Sequence, residues 1–263
     1  MKLRLAFPIA LALGLLTVVV LGGTGAGAAG SCGGRAVTMK GTPGNDVIKG
    51  HQRLDVIEAG DGNDTILSKG ANDVVCAGEG DDKVLGGDGS DRIYGEGGND
   101  RVDGQFGNEY ISGGAGNDHL NENDGDGRVE GGEGNDFIKG YIGIDTDIGG
   151  PGNDTIRAGI GFDTIIGGPG DDTLEPEKGH DIVDGGPGID TAVYSHEPDA
   201  VVVDLNKGST LKAAGRDSLP SIENLTGSRF NDKLFGNSGP NVLRGGPGND
   251  KLVGRGGGDT VEQ

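Results

Sequence analysis

The apolar positions of this chain recur every nine residues. From Gly41 to Val193 the sequence divides into 17 nonapeptides without insertion or deletion, and 16 of them carry an aliphatic residue at place eight. The exception is Asp147. Places seven and nine are mostly Lys, Arg, Thr, Glu or Asp. One apolar residue flanked by two polar ones reads as a short strand with a single face turned inward. The other six places run G-G-x-G-x-D, as in Gly131 to Asp136, and predict a tight turn after each strand. A second array, from Gly227 to Glu262, adds four repeats.

The turn residues add chemistry to this pattern. Glycine at places one, two and four permits positive φ and close backbone approach. Place six supplies a carboxylate in 15 of the 17 repeats; Glu109 and Gly127 depart from it. Turn carbonyls beside a carboxylate suit Ca²⁺, which takes about 6–8 oxygen ligands.

The frame G-G-x-G-x-D-x-U-x, with U aliphatic, resembles the RTX family of hemolysin-type calcium-binding repeats. The resemblance spans roughly residues 36–262. It implies an all-β fold, a parallel β-roll or β-helix solenoid with two repeats per coil and calcium ions between successive turns on one side. Repeat n then stacks on repeat n+2, and the main array makes about 8.5 coils, near 40 Å long at a strand spacing of ~4.7–4.9 Å.

Separating odd from even repeats on that basis gives two unequal sides. The odd side places Asp46, Asp64, Asp82, Asp100, Asp118, Asp136, Asp154, Asp172 and Asp190 at place six, each with Gly at place four. The even side supplies Asp91, Asp145, Asp163 and Asp181 as candidate ligands, but Arg53 and Ala71 replace the fourth-place Gly, and Glu109 and Gly127 replace the Asp. The expectation is a full calcium ladder on one side and a broken one on the other, with Asp118→Ala costing far more than Asp73→Ala. The second array offers Asp232, Asp250 and Asp259, with Asn241 as the weak member. Apolar residues on even turns (Phe106, Tyr141, Ile142, Ile144, Ile160 and Phe162) read either as mutual packing or as a contact patch. Asp147 at an inward place predicts a local strand slip that turns Ile148 inward, because a buried unpaired carboxylate is costly.

Composition narrows the function classes. Gly and Pro make up 68 of 263 residues, Trp is absent and aromatics are 4%, so no ordinary globular core is available. One aliphatic side chain per nine residues is little burial against the entropy of ordering the repeat, and rows of Asp repel one another. Ordering on calcium binding is the physical expectation. The net charge of −20 disfavours nucleic acid and anionic membrane surfaces.

Residues 1–30 read as a secretory signal peptide: Lys2 and Arg4, an apolar run from Leu5 to Leu21, then Ala26-Gly27-Ala28 as a cleavage site. An uncleaved anchor or a lipoprotein signal ending at Cys32 are the alternatives. Export through this signal predicts an extracellular protein without membrane insertion. The two cysteines, Cys32 and Cys76, then read as one disulfide stapling the start of the array. The expected organisation is a cap over 31–40, the main array over 41–193, a spacer with a strand or hairpin over 194–226 and the short array over 227–263. The spacer is expected to close one roll and start another.

Catalytic motifs are absent from the sequence. His196-Glu197 is followed by Pro198 and has no second His to make H-E-x-x-H, and no G-x-S-x-G occurs. The chain therefore reads as a secreted calcium-binding protein without catalysis. The alternative is a calcium-stiffened rod that presents its even face to a cell surface, a polysaccharide or a second copy.

Overall fold

The computed structural model describes residues 31–212 and 216–263; the signal peptide expected over residues 1–30 lies outside the described residues. The described residues form strands and turns with no helix. Strands pair in parallel with a constant offset of 18 residues: Arg101 faces Lys83 and His119, and Tyr110 faces Arg92 and Arg128. Two nonapeptides therefore make one coil. Among the described residues the odd strands belong to a 13-stranded sheet and the even strands of the main array to a 9-stranded sheet.

The core is a single file of place-eight side chains between these sheets. Ile66, Val84, Val102, Leu120, Ile138, Ile156 and Leu174 stack from the odd strands, and Ile57, Val75, Ile93, Ile111, Val129 and Ile165 from the even ones, all fully buried. Their neighbours at places seven and nine are mostly half-buried or exposed, as alternation along a strand requires. On the outer rim of the odd turns a second ladder runs through place five, where Asn117 accepts from the Asn135 amide at 2.6 Å and Asn135 from the Asn153 amide at 2.7 Å.

From the third repeat to the end of the main array, position two of the turn holds positive φ with or without glycine; Thr42 and His51, in the first two repeats, do not. Lys69, Glu96, Gln105, Asn123, Tyr141 and Glu177 all adopt it there, and Ala71 does so at place four with φ of 89°. Such conformations are strained for non-glycine residues, so the stack around them imposes the turn geometry on the worn repeats.

Asp147 corrects the expected strand slip. It stays in register between Val129 and Ile165, fully buried, while Ile148 remains half-exposed. The offset of 18 is enforced by the coils on both sides. A slip of one residue would turn every side chain of the strand over.

The N-terminal cap does two jobs. Met39–Lys40 forms the rung below Ile57 and Glu58, closing the first coil. The hairpin of Ser31–Cys32 and Arg35–Ala36 folds back on the outer even face, where Cys32 packs with Val56, Val74 and Cys76 and is bonded to Cys76 at a Cα–Cα distance of 5.8 Å. This cover accounts for the apolar Val56 and Val74 at place seven.

Residues 194–226 do not close one stack and open another. Asn224–Thr226 pairs with Thr191–Val193 on one side and with Val242–Arg244 on the other, so the odd sheet runs through. On the even side, Ser218 bridges both Ile182 and Ser209, and a hairpin of Val202–Asp204 with Ser209–Lys212 leads to Lys233–Phe235. Val203, Leu219, Ile222 and Leu225 join the core file.

Candidate metal centre

Most sixth-place carboxylates of the main array lie under their own turns, and the two oxygens have different surroundings. Oδ1 accepts the backbone N–H of the sixth residue one coil back. On the odd side this rung repeats from Asp46 → Asp64 at 2.7 Å, through Asp100 → Asp118 at 2.7 Å, to Asp172 → Asp190 at 2.9 Å. Oδ2 is buried without a hydrogen-bond partner in Asp64, Asp82, Asp100, Asp118, Asp136, Asp154, Asp172 and Asp190. A row of unpartnered buried anionic oxygens is costly unless a cation meets it.

The first-place glycine is where this oxygen points. A β-carbon at Gly113 would collide with Asp118 Oδ2 and would lie 2.5 Å from the carbonyl oxygen of Gly131. Carboxylate and carbonyl oxygens thus converge under a residue that has no side chain. That donor set is all oxygen and fits Ca²⁺. The residues that would hold it are the sixth-place carboxylates, with the first-place carbonyls of the adjoining coil; bound calcium would supply the positive charge that the two columns lack.

Burial, with like-charged neighbours, raises the pKa of carboxyls in both columns. Burial, with help from the flanking Asp residues, lifts Asp73, Asp100 and Asp154 to about 7, while the backbone N–H bond pulls the other way. Asp82 and Asp118 rise to about 6, and Asp181 to about 8 through burial and the charges of Asp217, Asp163 and Glu197.

The even column is less worn than its sequence. Asp55 → Asp73 and Asp73 → Asp91 make the same rung at 2.7 and 2.8 Å, and the second oxygens of Asp73 and Asp91 are unpartnered and buried. Asp145, Asp163 and Asp181 resume it. Asp73, left out of the sequence-derived ligand set because Ala71 stands two residues before it, is thus placed as its odd counterparts are. The irregular stretch is confined to Glu109, Glu122, Gly127 and Asp147. Glu109, Glu122 and Asp147 are all buried with both carboxyl oxygens unpartnered.

Three other predicted ligands sit differently. Asp46, at the first coil, uses Oδ2 to accept from the backbone and hydroxyl of Thr42. Asp232 accepts from Ser228 and from the Val201 amide, and Asp259 from the Asn241 and Gly256 amides. Asp250 keeps a buried unpartnered Oδ2.

Two ladder members were hidden in the interrupted segment. Asp217 Oδ1 accepts from the Asp181 amide at 3.1 Å, and Glu223 Oε2 from the Asp190 amide at 2.9 Å, so both columns extend one rung past the main array. The signal was present: Gly215-Arg216-Asp217-Ser218-Leu219 keeps places four to eight of the frame. Elsewhere, Glu175 and Glu177 bring ligand atoms within 4.8 Å of one another and of His196, with Glu175 already paired to Arg157 at 3.2 Å and to His196 at 3.0 Å.

A family model for the RTX calcium-binding nonapeptide repeat matches residues 40–75, 52–84, 77–108, 85–120, 123–146, 148–183, 177–192 and 226–261. The matched stretches cover well over half of the chain and step over residues 121–122 and 147, where Glu122 and Asp147 stand. No curated protein matches the sequence. The chain belongs to the RTX calcium-binding repeat family.

Proposed function

We propose that this member of the RTX calcium-binding repeat family is an exported protein that orders its solenoid on binding a series of calcium ions, and that its role is structural rather than catalytic. The observation that carries this reading is the pair of columns of buried, unpartnered carboxylate oxygens. Without a cation the fold must bury like charges side by side; with one, each rung becomes an attraction between coils. Export rests on the Lys2 and Arg4 leader with its apolar run, and on the Cys32–Cys76 pair, which suits an oxidising compartment. The test is circular dichroism of the chain from residue 31 with and without Ca²⁺, followed by calorimetric titration. Strong β signal only with calcium, and several ions bound per chain, is the expected result; an equal spectrum in chelator at neutral pH would count against folding on binding.

A second reading is favoured by one observation. Phe106, Ile142, Ile144, Ile160 and Phe162 on the even turns are each about half or more exposed, and Ile144, Ile160 and Phe162 line a shallow cavity of about 420 Å³. In this reading the calcium-stiffened rod presents that ridge to a partner or a second copy. Sedimentation of the loaded protein, compared with a variant carrying Ile144→Ser and Phe162→Ser, tests self-association.

A further inference from the structure

Glu122 stands at the first place of its repeat, where the coils on either side carry Gly104 and Gly140. That place is Gly in most repeats and otherwise, apart from Glu122, a compact Ala, Ser or Pro (Ala59, Ser68, Ala77, Ala158 and Pro176), because the sixth-place carboxylate of the same repeat folds beneath it. A β-carbon at Gly140 would fall 2.7 Å from Asp145 Oδ2, and one at Gly104 would fall 2.8 Å from Glu109 Cγ. In the Glu122 repeat the sixth place is Gly127, and the relation is reversed: a β-carbon at Gly127 would fall 2.5 Å from Oε1 and 2.6 Å from Cδ of Glu122. The carboxyl has changed its point of attachment and kept its place in the column.

Its surroundings match that position. Glu122 is fully buried, and neither of its oxygens has a hydrogen-bond partner. The Glu109 amide and the Glu109 carboxyl both act on the Glu122 carboxyl, the amide as the sixth-place amide of a regular column acts on the carboxylate one coil on. On the other side the Gly127 amide donates to Asp145 Oδ1 at 3.0 Å, so the rung to the next coil is intact. Three carboxyls from successive coils are thereby stacked with no cationic side chain paired to them among the described residues.

We propose that Glu122 is a calcium ligand transplanted from place six to place one, and that Glu109, Glu122 and Asp145 hold Ca²⁺ between them and keep the even column continuous. This rests on the calcium reading above. The exchange is reciprocal, Glu for Gly at one place and Gly for Asp at the other, which a column simply decaying would not require.

The test uses the chain from residue 31, with calcium count by calorimetric titration and the calcium midpoint of folding by circular dichroism. Glu122→Gln keeps the shape and removes the charge. It is expected to bind about one to two fewer ions, because a carboxylate between coils serves the sites on both sides, and to raise the midpoint roughly threefold or more. Gly127→Asp alone, whose new side chain collides with Glu122, is expected to lose at least as much. The double variant Glu122→Gly, Gly127→Asp restores the regular frame and is expected to return both readouts to the parent values. An unchanged ion count and midpoint in Glu122→Gln would overturn the proposal and leave a protonated carboxyl as the filler of that space. A double variant that folds but binds fewer ions than the parent would overturn it too. A parent chain that binds no calcium would sink the whole reading of the columns, which is a different failure.

Discussion

The odd and even sides of this solenoid differ far more in sequence than in geometry. The odd column keeps Gly at place four and Asp at place six throughout the main array, and its rungs are uniform from Asp46 to Asp190. The even column carries Arg53, Ala71, Glu109 and Gly127 at those places, yet Asp55, Asp73 and Asp91 make the same rungs, and Asp145, Asp163 and Asp181 take them up again. In a stack, each turn is templated by the turns before and after it. A single poor residue is forced into the common shape, as Ala71 is at positive φ, and the strain is borne by neighbours in a one-dimensional array. What the consensus measures is the intrinsic ease of each turn, not its final form.

Calcium removal is the largest expected break. Chelation at neutral pH should abolish most β signal on both sides, read by circular dichroism. Acidification should partly reverse this. Asp73, Asp100 and Asp154 have folded pKa values of about 7 and Asp181 of about 8, above the ordinary 3.8, chiefly through burial. The calcium-free fold therefore holds protons that the unfolded chain has released. Its stability is fullest below about pH 4 and is lost as pH rises through about 6–8. A calcium-free chain with no more β structure at pH 4.5 than at pH 8 would contradict this. Calcium affinity should move the opposite way and weaken on acidification.

Next in size are the two single-ligand variants that the sequence ranks unequally. By geometry, Asp118→Ala and Asp73→Ala remove equivalent carboxylates, each with one oxygen on a rung and one unpartnered. Both are expected to raise the calcium midpoint of folding by on the order of tenfold, since affinity follows the number of charged ligands. A loss at Asp118 that dwarfs the loss at Asp73 would restore the two-faced picture drawn from the sequence.

The disulfide sharpens the comparison at one end. It ties the hairpin at Cys32 to the even strand at Cys76, across a sequence separation of 44 residues. Cys32→Ser with Cys76→Ser should lower stability by about 2–4 kcal/mol, and hydrogen exchange should show the loss concentrated in the coils over Val56 and Val74. Uniform loss along the rod would mean that the staple acts through the unfolded chain alone.

The smallest expected effect concerns Asp147. Burial and the charges of Asp145 and Asp163 push its carboxyl well above the usual range, and neither oxygen is hydrogen-bonded. Asp147→Val restores the apolar file between Val129 and Ile165 and should stabilise the loaded protein by about 1–3 kcal/mol, seen as a higher melting temperature. A fall in bound calcium instead would make Asp147 part of the even column, beside Asp145 under Gly140.

The nine-residue period by itself determined the strands and the inward file of place-eight residues, because each is a local property repeated without change of frame; the two-column arrangement of carboxylates followed from the family resemblance, which implies two repeats per coil. The pairing of Cys32 with Cys76 was also legible, from their even count and the expectation of export. Tertiary structure alone decided three things. It held Asp147 in register, since coils on both sides fix an offset of 18 residues. It brought Asp217 and Glu223 into the columns across an irregular segment whose length hides the frame. It seated Glu122 in the space left by Gly127, because space in a packed stack is filled by whichever nearby side chain can reach it, and reach through space is not recorded in a linear pattern of places.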